Sequence, residues 1–313
     1  MTTAAPARFS YLGPEGTFSE AALRTLPEAR TAECLPMMSI PAALDAARAG
    51  EVDAALVPIE NSVEGGVTAT LDELTFGQPL MIFREVLLPI SFALLVRPGT
   101  RLADVKTVTG HPVAQPQVRR WLAEHRPDAV WESAASNADG ARMVQEGRYD
   151  GAFAGEFAAP IYHLEPLVTD IHDRGNAQTR FILAGRPDRP TAATGADKTS
   201  LAVWLTDDYP GALLELLQEF ASRGVNVVRI ESRPTGRGIG HYSFSVDCQG
   251  HLTERRVGEA LMGLKQIFPK VRFLGSYPRA GEAVGAPEPD DELSQLTFMA
   301  ASDWLARCVA GRV

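Results

Sequence analysis

The segment with the clearest capacity for chemistry is AALVPIENSVEGGV, residues 54–67, in which an apolar run leads directly into polar side chains. The run AALV is typical of a buried strand. Glu60, Asn61 and Ser62 follow it with a carboxylate, an amide and a hydroxyl, before a pair of glycines. A polar surface loop is one interpretation. The other is that a hydrophobic strand holds these three groups at the mouth of a cleft.

Two further segments place polar groups beside predicted strands. YLGPEGTFSE, residues 11–20, puts two glycines between a strand and the start of a helix, where free amides suit an anion. It lacks the Walker and dinucleotide-binding patterns, so a purely structural turn fits it equally well. GNAQTRF, residues 175–181, brings Thr179 and Arg180 to the entrance of another strand, where an ordinary surface position is the alternative to catalysis.

The elements that must position these groups alternate between short strands and helices from Arg8 to about Gly185, which predicts a largely parallel α/β fold. Within this region SIPAALDAARAGEVDAALV, from Ser39, aligns without a gap with SNADGARMVQEGRYDGAFA, from Ser136. Each copy predicts a capping serine, a helix, a glycine stop and a strand. The repeat therefore predicts two similar lobes around a shared crevice, with residues 54–67 at its edge. The aligned pairs are Ser39 and Ser136, Gly50 and Gly147, Asp53 and Asp150, and Ala55 and Ala152.

Beyond the lobes the pattern changes to that of a second domain. Residues 186–198 are rich in Pro, Gly, Ala and Thr and predict a linker. Residues 199–280 follow the order strand, helix, strand, strand, helix, strand, which is the ferredoxin-like βαββαβ arrangement. Residues 281–313 form a tail that opens with an acidic stretch and ends in an amphipathic pattern, which predicts a C-terminal helix. We therefore predict an α/β protein whose first domain spans residues 1–185.

Composition limits the class of partner. The 313 residues include 45% hydrophobic and 22% charged side chains, and the net charge of −9 argues against nucleic acid or an anionic membrane as a partner. No signal peptide is evident, and the longest apolar run, residues 86–96, is too short for a membrane helix and predicts one or two buried strands. Three separated cysteines, Cys34, Cys248 and Cys308, indicate reduced thiols in a cytoplasmic protein, and no Cys or His pair has metal-ligand spacing.

Several motifs together resemble those of prephenate dehydratase with a C-terminal ACT regulatory domain. GPEGTFSE, PIENSVEGG and TRF occur in this order, and GALL, residues 211–214, and ESRP, residues 231–234, follow them. The resemblance extends over about residues 8–278, and the combination is far more specific than any single motif. It implies a catalytic domain of two lobes like a type II periplasmic binding protein, in agreement with the internal repeat. It also implies that prephenate loses carbon dioxide and water to give phenylpyruvate, without a cofactor or metal.

The resemblance also assigns residues to two sites. One departure from the family pattern lies at residues 110–113, which are Gly, His, Pro and Val where many relatives have Ser, His, Pro and Gln. For catalysis the resemblance implies Thr179, Arg180 and Phe181. For substrate binding it implies Thr17, Glu60, Asn61, Ser62 and Gln117. For phenylalanine as an allosteric effector it implies Gly211, Ala212, Leu213, Leu214, Glu231, Ser232, Arg233 and Pro234.

The two carboxylates of prephenate call for opposite treatment. We expect Arg180 and helix amides to hold the side-chain carboxylate. The ring carboxylate must give up its charge, so we expect a drier pocket around it, walled by Phe181. The Thr179 hydroxyl would deliver or relay a proton to the departing hydroxyl, with protonated Glu60 or Glu64 as the rival acid.

Two other functions are compatible with the same sequence. One is an arogenate dehydratase, which would act on the aminated analogue. The other is a non-catalytic, amino-acid-sensing binding protein, because two-lobed domains also serve as receptors. ACT domains commonly pair side by side, so the resemblance further implies a homodimer or homotetramer, with prephenate and L-phenylalanine as its small-molecule partners.

Overall fold

The computed structural model describes residues 7–173, 175, 177–205, 209–236 and 241–281. The predicted C-terminal tail helix lies outside these residues, as does Cys308. The strands are β1 (Arg8–Leu12), β2 (Glu33–Met37), β3 (Ala54–Asn61), β4 (Gly65–Gly66), β5 (Met81–Pro89), β6 (Phe92–Val96), β7 (Thr107–Gly110), β8 (Val130–Ser133), β9 (Gly151–Ala154), β10 (Glu165–Ile171), β11 (Gln178–Gly185), β12 (Asp197–Trp204), β13 (Val227–Pro234), β14 (Tyr242–Gln249) and β15 (Lys270–Pro278). The α-helices are α1 (Phe18–Arg24), α2 (Ile40–Ala49), α3 (Thr68–Phe76), α4 (Gln115–His125), α5 (Asn137–Gln145), α6 (Ala212–Ala221) and α7 (Arg255–Ile267).

Two lobes of the same topology make up the first part of the chain. The strand order is β2-β1-β3-β11-β5 in the first lobe and β8-β7-β9-β6-β10 in the second. In each lobe the first three strands are parallel, and the fourth is antiparallel to both of its neighbours. That fourth strand, β11 or β6, is the one that the chain enters as it crosses from the other lobe. The predicted two-lobed fold of the type II periplasmic-binding-protein kind is therefore confirmed.

The internal sequence repeat corresponds to equivalent interactions in the two lobes. Ser39 caps α2 and Ser136 caps α5, each through its hydroxyl oxygen. The Asp53 carboxylate accepts the first backbone amide of β1 at 2.8 Å, and the Asp150 carboxylate accepts the first amide of β7 at 2.9 Å. Each aspartate stands immediately before β3 or β9 and thus ties the start of that strand to the start of its neighbour, β1 or β7. The repeated sequence therefore encodes the same two interactions in each lobe, a serine cap at the start of the helix and an aspartate bond before the following strand.

The apolar run at residues 86–96 forms the end of β5 and the whole of β6, as two strands. The chain makes its first crossing between the lobes at the short connection inside this run. Among the residues that the structure describes, no helix has the length and apolar character needed to cross a membrane.

The second domain is a four-stranded antiparallel sheet of order β13-β14-β12-β15 with α6 and α7 on one face. This confirms the predicted ferredoxin-like order. Leu201 and Val246 of the sheet pack against Phe220 of α6 in the core between the layers. On the opposite face, Trp204 and Tyr277 join the apolar core of the first lobe. Because both faces of its sheet are covered, this domain is packed against the first lobe rather than only tethered to it.

β12 begins at Asp197, inside the segment predicted as linker. The Asp197 carboxylate accepts the backbone amides of Thr194 and Gly195, at 2.7 Å and 3.0 Å. These bonds close a tight turn immediately before the strand, so the extended backbone starts earlier than the composition of the segment suggests.

Candidate active site and effector site

A bulge in β3 brings the two most important predicted side chains together. The register pairs Thr179 with Asn61 and Arg180 with Glu60, but Phe181 with Pro58, so Ile59 is the extra residue. Directly opposed residues on antiparallel strands present their side chains to the same face. Asn61 Nδ2 accordingly donates a hydrogen bond to Thr179 Oγ1 at 2.9 Å.

The direction of this hydrogen bond is fixed by the other end of the Asn61 amide. Asn61 Oδ1 accepts the backbone amides of Val63 at 2.8 Å and Glu64 at 3.2 Å, and backbone amides can only donate. The NH₂ end must then face Thr179, whose oxygen acts as acceptor. The hydroxyl proton of Thr179 finds no acceptor among the described residues, although the side chain is only 8% exposed. The pair therefore presents a buried, oriented and unused proton donor.

A hollow of about 530 Å³ lies between the two lobes. Thr17 and Phe18 at the start of α1 line it from the first lobe, and His111, Asn137 and Arg142 line it from the second. Thr17 is the one predicted substrate-binding residue in this lining. Its hydroxyl donates to the carbonyl of Leu12 at 3.0 Å and is thus committed to the turn.

His111 connects the hollow to the turn that carries Asn61. Burial lowers the pKa of His111, and the nearby carboxylate of Glu64 opposes that effect, so the two lobes face each other here. His111 Nδ1 accepts the amide of Val113 at 3.3 Å, which places the proton of the neutral ring on Nε2. The imidazole is therefore a neutral donor on the wall of the hollow. The sequence did not predict this role, because His111 is an isolated histidine. The one indication was its position in the segment 110–113, which departs from the family pattern.

The first glycine loop is closed by its own side chains. Gly16 donates its amide to Glu20 Oε2 at 2.8 Å, and Thr17 Oγ1 accepts the amide of Glu20 at 3.4 Å. These two bonds cap the start of α1 and use the amides of Gly16 and Glu20. The loop therefore has a structural role, and the expectation that other amides at the start of α1 bind a substrate carboxylate stays a prediction.

Arg180, which was expected to contact the substrate, is not among the residues that line the hollow. Its Nε donates to Glu85 at 2.6 Å, Nη1 to Asp247 at 2.5 Å and Nη2 to the Tyr277 hydroxyl at 2.9 Å. The residue is 5% exposed. Side chains alternate along a strand, so Arg180 faces the opposite side of the sheet from its neighbour Thr179. The Arg180 guanidinium is bonded to the first lobe through Glu85 and to the second domain through Asp247 and Tyr277.

Apart from Thr17, the predicted catalytic and substrate residues, Thr179 and Asn61 included, are not among the residues that line the hollow. Phe181 is 2% exposed in the core of the first lobe, and Phe18 takes the place expected for it as an aromatic wall. Glu60 lies on the Arg180 side of the strands, with Oε2 at 3.4 Å from Arg180 Nη1. Of Glu60, Asn61 and Ser62, Asn61 is therefore the residue that the bulge places opposite Thr179.

Ser62 and Gln117 have structural contacts. Ser62 Oγ accepts the amide of Gln178 at 2.9 Å and so fastens the turn to the start of β11. Gln117 is buried in α4, where its Nε2 donates to the carbonyl of Val113 at 3.0 Å and its Oε1 has no hydrogen-bond partner within the described part of the chain. Neither side chain lines the hollow.

A second hollow of about 590 Å³ lies in the ferredoxin-like domain. Gly211, at the start of α6, has φ +101° and caps the helix without a side-chain hydrogen bond, so it leaves the first amides of the helix uncapped by a side chain. Of the predicted effector residues, those in the lining are Gly211, Ala212, Leu213, Leu214 and Ser232.

The remaining effector residues lie elsewhere on β13. Arg233 makes two hydrogen bonds of 2.9 Å with Asp72 of α3, in the first lobe. Glu231 also faces the first lobe, where its carboxylate lies over Gly66. Pro234 is exposed outside the hollow. β13 thus presents Ser232 to the effector pocket and the residues on either side of it to the first lobe.

These features define a two-lobed α/β catalytic domain joined to a ferredoxin-like regulatory domain with a pocket of its own. The family model described as prephenate dehydratase matches residues 9–189, and the model of the ACT domain matches residues 199–265. The chain therefore belongs to the prephenate dehydratase family, whose members are lyases of phenylalanine biosynthesis, and it carries a C-terminal ACT domain.

Individual relatives support this assignment along the whole chain. The prephenate dehydratase of Mycobacteroides abscessus is 47% identical, over 98% of this chain and 99% of that protein. A solved prephenate dehydratase from Arthrobacter aurescens, in complex with L-Phe, is 48% identical, covers 97% of this chain and 100% of its own, and has a TM-score of 0.85. A structure described as GqqA, a novel type of quorum quenching acylase, is 29% identical, covers 87% and 98%, and has a TM-score of 0.77. Since this fold accommodates another described activity, the side chains must identify the chemistry.

Proposed function

We propose that the hollow between the lobes is where this chain converts prephenate to phenylpyruvate, and that Thr179, oriented by Asn61, supplies a proton to the departing hydroxyl. The observation that carries this proposal is the Asn61 to Thr179 hydrogen bond of 2.9 Å, in which Thr179 accepts and keeps its own proton available. His111 on the lining of the hollow, close to Glu64 in the Asn61 turn, supports the pair's access to that space.

The reaction needs one proton and one electron pair in the right places. As the ring carboxylate leaves as carbon dioxide, the electrons of its bond to the ring form the new ring π bond. The bond to the hydroxyl at the opposite ring carbon breaks, and its oxygen leaves as water after it takes up a proton. Formation of the aromatic ring makes the overall reaction strongly favourable in free energy. The site therefore has only to position the substrate and assist the leaving group.

Thr179 acts as an oriented donor or relay rather than as a strong acid. An alcohol is a weak acid, but Asn61 donates to its oxygen, and such a chain of hydrogen bonds strengthens the next donation. Of the two rival acids, Glu60 lies on the other face of the strands. Glu64 is exposed in the turn beyond Asn61, and so it remains the alternative source of the proton that Thr179 passes on.

Arg142 takes over the carboxylate-binding role expected of Arg180. It lines the hollow and is 43% exposed, whereas Arg180 is buried on the other side of the sheet. Arg142 already bonds the carboxylates of Asp139, at 2.6 Å, and of Glu146, but a guanidinium has five N–H donors and can bind a third carboxylate. Together with the Nε2–H of His111, it would hold the side-chain carboxylate of prephenate away from Thr179.

L-phenylalanine occupies the ACT-domain hollow in this proposal. The uncapped start of α6 at Gly211 suits the effector's carboxylate, and Leu213, Leu217 and Phe244 give apolar contacts for its ring. The complex of the Arthrobacter aurescens relative with L-Phe supports this assignment. Regulation of prephenate turnover through the ACT domain follows from it.

We also propose that the chain works as a cytoplasmic homodimer or homotetramer. β13 is an edge strand, and its apolar side chains Val228 and Ile230 are 41% and 39% exposed. An exposed apolar edge of this kind suits side-by-side pairing of two ACT domains. We retain the domain division at residues 1–185 and 199–280, with the linker shortened by the strand that begins at Asp197.

The test is a direct assay of phenylpyruvate formed from prephenate, with arogenate as a parallel substrate and with L-phenylalanine added or omitted. We expect turnover of prephenate that changes with phenylalanine. Preferential turnover of arogenate would identify an arogenate dehydratase. Binding of prephenate without turnover of either compound would identify a non-catalytic binding protein and contradict the proposal.

A further inference from the structure

Strand β11 links the candidate active site to the ACT domain through neighbouring residues. Thr179 bonds Asn61 on one face, and Arg180 projects from the other. The Arg180 guanidinium donates to Asp247 of β14 at 2.5 Å and to the Tyr277 hydroxyl of β15 at 2.9 Å. Two strands of the ACT sheet therefore hold the residue next to the proposed proton donor.

Asp247 is the centre of this contact. It is 0% exposed and accepts hydrogen bonds from Arg180, from Ser200 Oγ at 2.6 Å and from Arg229 Nε at 2.8 Å. Burial alone would raise the pKa of its carboxyl group, but the guanidinium groups of Arg180 and Arg229 outweigh burial and hold the pKa well below its ordinary value. Asp247 therefore joins two buried cations, one from the catalytic domain and one from its own domain.

Arg229 extends the contact to the strand that lines the effector pocket. It lies on β13 directly opposite Asp247 on β14. Three residues further along β13, Ser232 lines the effector pocket. A displacement of β13 by a bound ligand would therefore act on Arg229, on Asp247 and then on Arg180, all of which are joined by hydrogen bonds.

A second contact from β13 reaches the turn that carries Asn61. Any Cβ atom at Gly66 would collide with the carboxylate of Glu231. Gly65 has φ +85°, which favours glycine, but Gly66 is not in the left-handed region. Glycine at position 66 is thus explained by the ACT domain that lies over it. Because Gly65 and Gly66 form β4, which pairs with the end of β3, the position of β13 also bears on Asn61.

We propose that Asp247 is a positioning residue for the dehydration: through Arg180 it sets the placement of Thr179, and through Arg229 it makes that placement depend on the effector pocket. Asp247 touches neither substrate nor effector in this scheme. The inference rests on the proposed function and adds to it the route by which the ACT domain controls the active site. It requires a coupling between the two sites that can be lost while both ligands still bind.

The experiment compares Asp247→Asn with the wild-type full-length chain. The substitution keeps the shape of the side chain and removes its charge. Prephenate turnover is measured with and without saturating L-phenylalanine, and phenylalanine binding is measured separately by calorimetry. Allosteric coupling is commonly about 5- to 150-fold. We expect the phenylalanine-induced change in kcat/KM to fall toward onefold in the variant, kcat to fall more than KM rises, and the Kd for phenylalanine to stay near the wild-type value.

Asp72→Asn is the matched control. It breaks the Arg233 to Asp72 pair at the same domain interface, on a carboxylate that is 40% exposed, without touching the contacts of Asp247. We expect it to respond to phenylalanine like the wild type. Tyr277→Phe is a milder second variant, because it removes one hydrogen bond to Arg180 and keeps the aromatic ring in place. It should show a partial loss of the response, and it decides the matter if Asp247→Asn does not fold.

If Tyr277→Phe responds fully to phenylalanine, and Asp247→Asn either responds fully or does not fold, the inference is overturned. It is also overturned if Asp72→Asn loses the response to the same extent. A wild-type chain with no activity on prephenate would instead contradict the proposed function. The two failures are therefore distinguishable.

Discussion

Along β11, the face that carries Thr179 and the face that carries Arg180 differ in how completely their polar groups are paired. On the first face, Thr179 accepts one hydrogen bond from Asn61 and keeps a proton without an acceptor in the described residues. On the second face, Arg180 donates to Glu85, Asp247 and Tyr277, all of them buried. The two residues are adjacent in sequence, yet Thr179 keeps its one proton available whereas each nitrogen of the Arg180 guanidinium is bonded to another side chain.

This difference separates a reacting group from a supporting one. A buried polar group with an unused donor is costly unless a ligand satisfies it, so it marks a place for chemistry. A buried ion network with many hydrogen bonds fixes geometry and resists change. The comparison therefore predicts losses of turnover on the first face and losses of stability or regulation on the second.

The largest effect is expected from Thr179→Val, which keeps the shape of the side chain and removes the hydroxyl. Loss of a positioned proton donor typically lowers the rate by about 10²- to 10⁴-fold. We expect a fall of that order in kcat for phenylpyruvate formation from prephenate, with the fold retained by circular dichroism. Thr179→Ser retains the hydroxyl and should keep most of the activity. Near-normal turnover in Thr179→Val would remove Thr179 from the chemistry.

The second prediction concerns the cost of breaking the paired face. Arg180→Met leaves Asp247 and Glu85 as buried carboxylates without one of their cations. Removing one partner of a buried ion pair typically costs about 3–5 kcal/mol in the free energy of unfolding. Arg233→Met, which breaks a more exposed pair with Asp72, should cost no more than about 1 kcal/mol. Urea unfolding of both variants tests the comparison, and equal losses would contradict it.

A smaller effect is expected from His111, whose pKa is lowered by burial in the folded chain. The unfolded chain, with an ordinary histidine pKa near about 6.5, then binds the proton more readily than the folded chain does. Stability should therefore decline as the pH falls below about 6.5, until the folded residue is itself protonated. His111→Gln should show less of this decline in urea unfolding at pH 7.5 and 5.5. The same pH dependence in both proteins would argue against a buried, neutral His111.

The smallest effect is expected at Gly66. The obstacle to a Cβ atom there is the far end of the flexible Glu231 side chain, which can move, so Gly66→Ala should cost about 1 kcal/mol of stability. In a Glu231→Ala background that cost should disappear. Gly65→Ala is strained by its φ of +85° and should cost a similar amount in either background. If the stability lost in Gly66→Ala does not depend on Glu231, the ACT domain is not the reason for glycine at position 66.

The two lobes could be predicted from the sequence because the helices and strands that build them are specified by short local patterns. The repeat that begins at Ser39 and Ser136 specifies a cap, a helix, a stop and a strand within about twenty residues, and its equivalents form the same bonds in both lobes. The association of Asn61 with Thr179 was also accessible, because both lie at strand ends that a cleft would gather.

The faces of the strands could not be predicted in the same way. TRF suggested three cooperating residues, but alternation along β11 sends Thr179 and Arg180 to opposite sides. Which side each takes depends on the bulge at Ile59 and on the docking of β14, nearly seventy residues further along the chain. Arg142 and His111 enter the hollow from the second lobe, and no local pattern ties them to the first.

The central claim is that Asn61 and Thr179 act as one unit that directs a hydroxyl proton to the substrate. A double-mutant cycle in kcat/KM for prephenate, with Asn61→Ala, Thr179→Val and the double variant, measures this directly. If Asn61 works by orienting the threonine hydroxyl, the double variant should be no slower than Thr179→Val alone. If the two losses in kcat/KM multiply, the two residues act independently. That result would contradict the claim that Asn61 orients the Thr179 hydroxyl through their hydrogen bond.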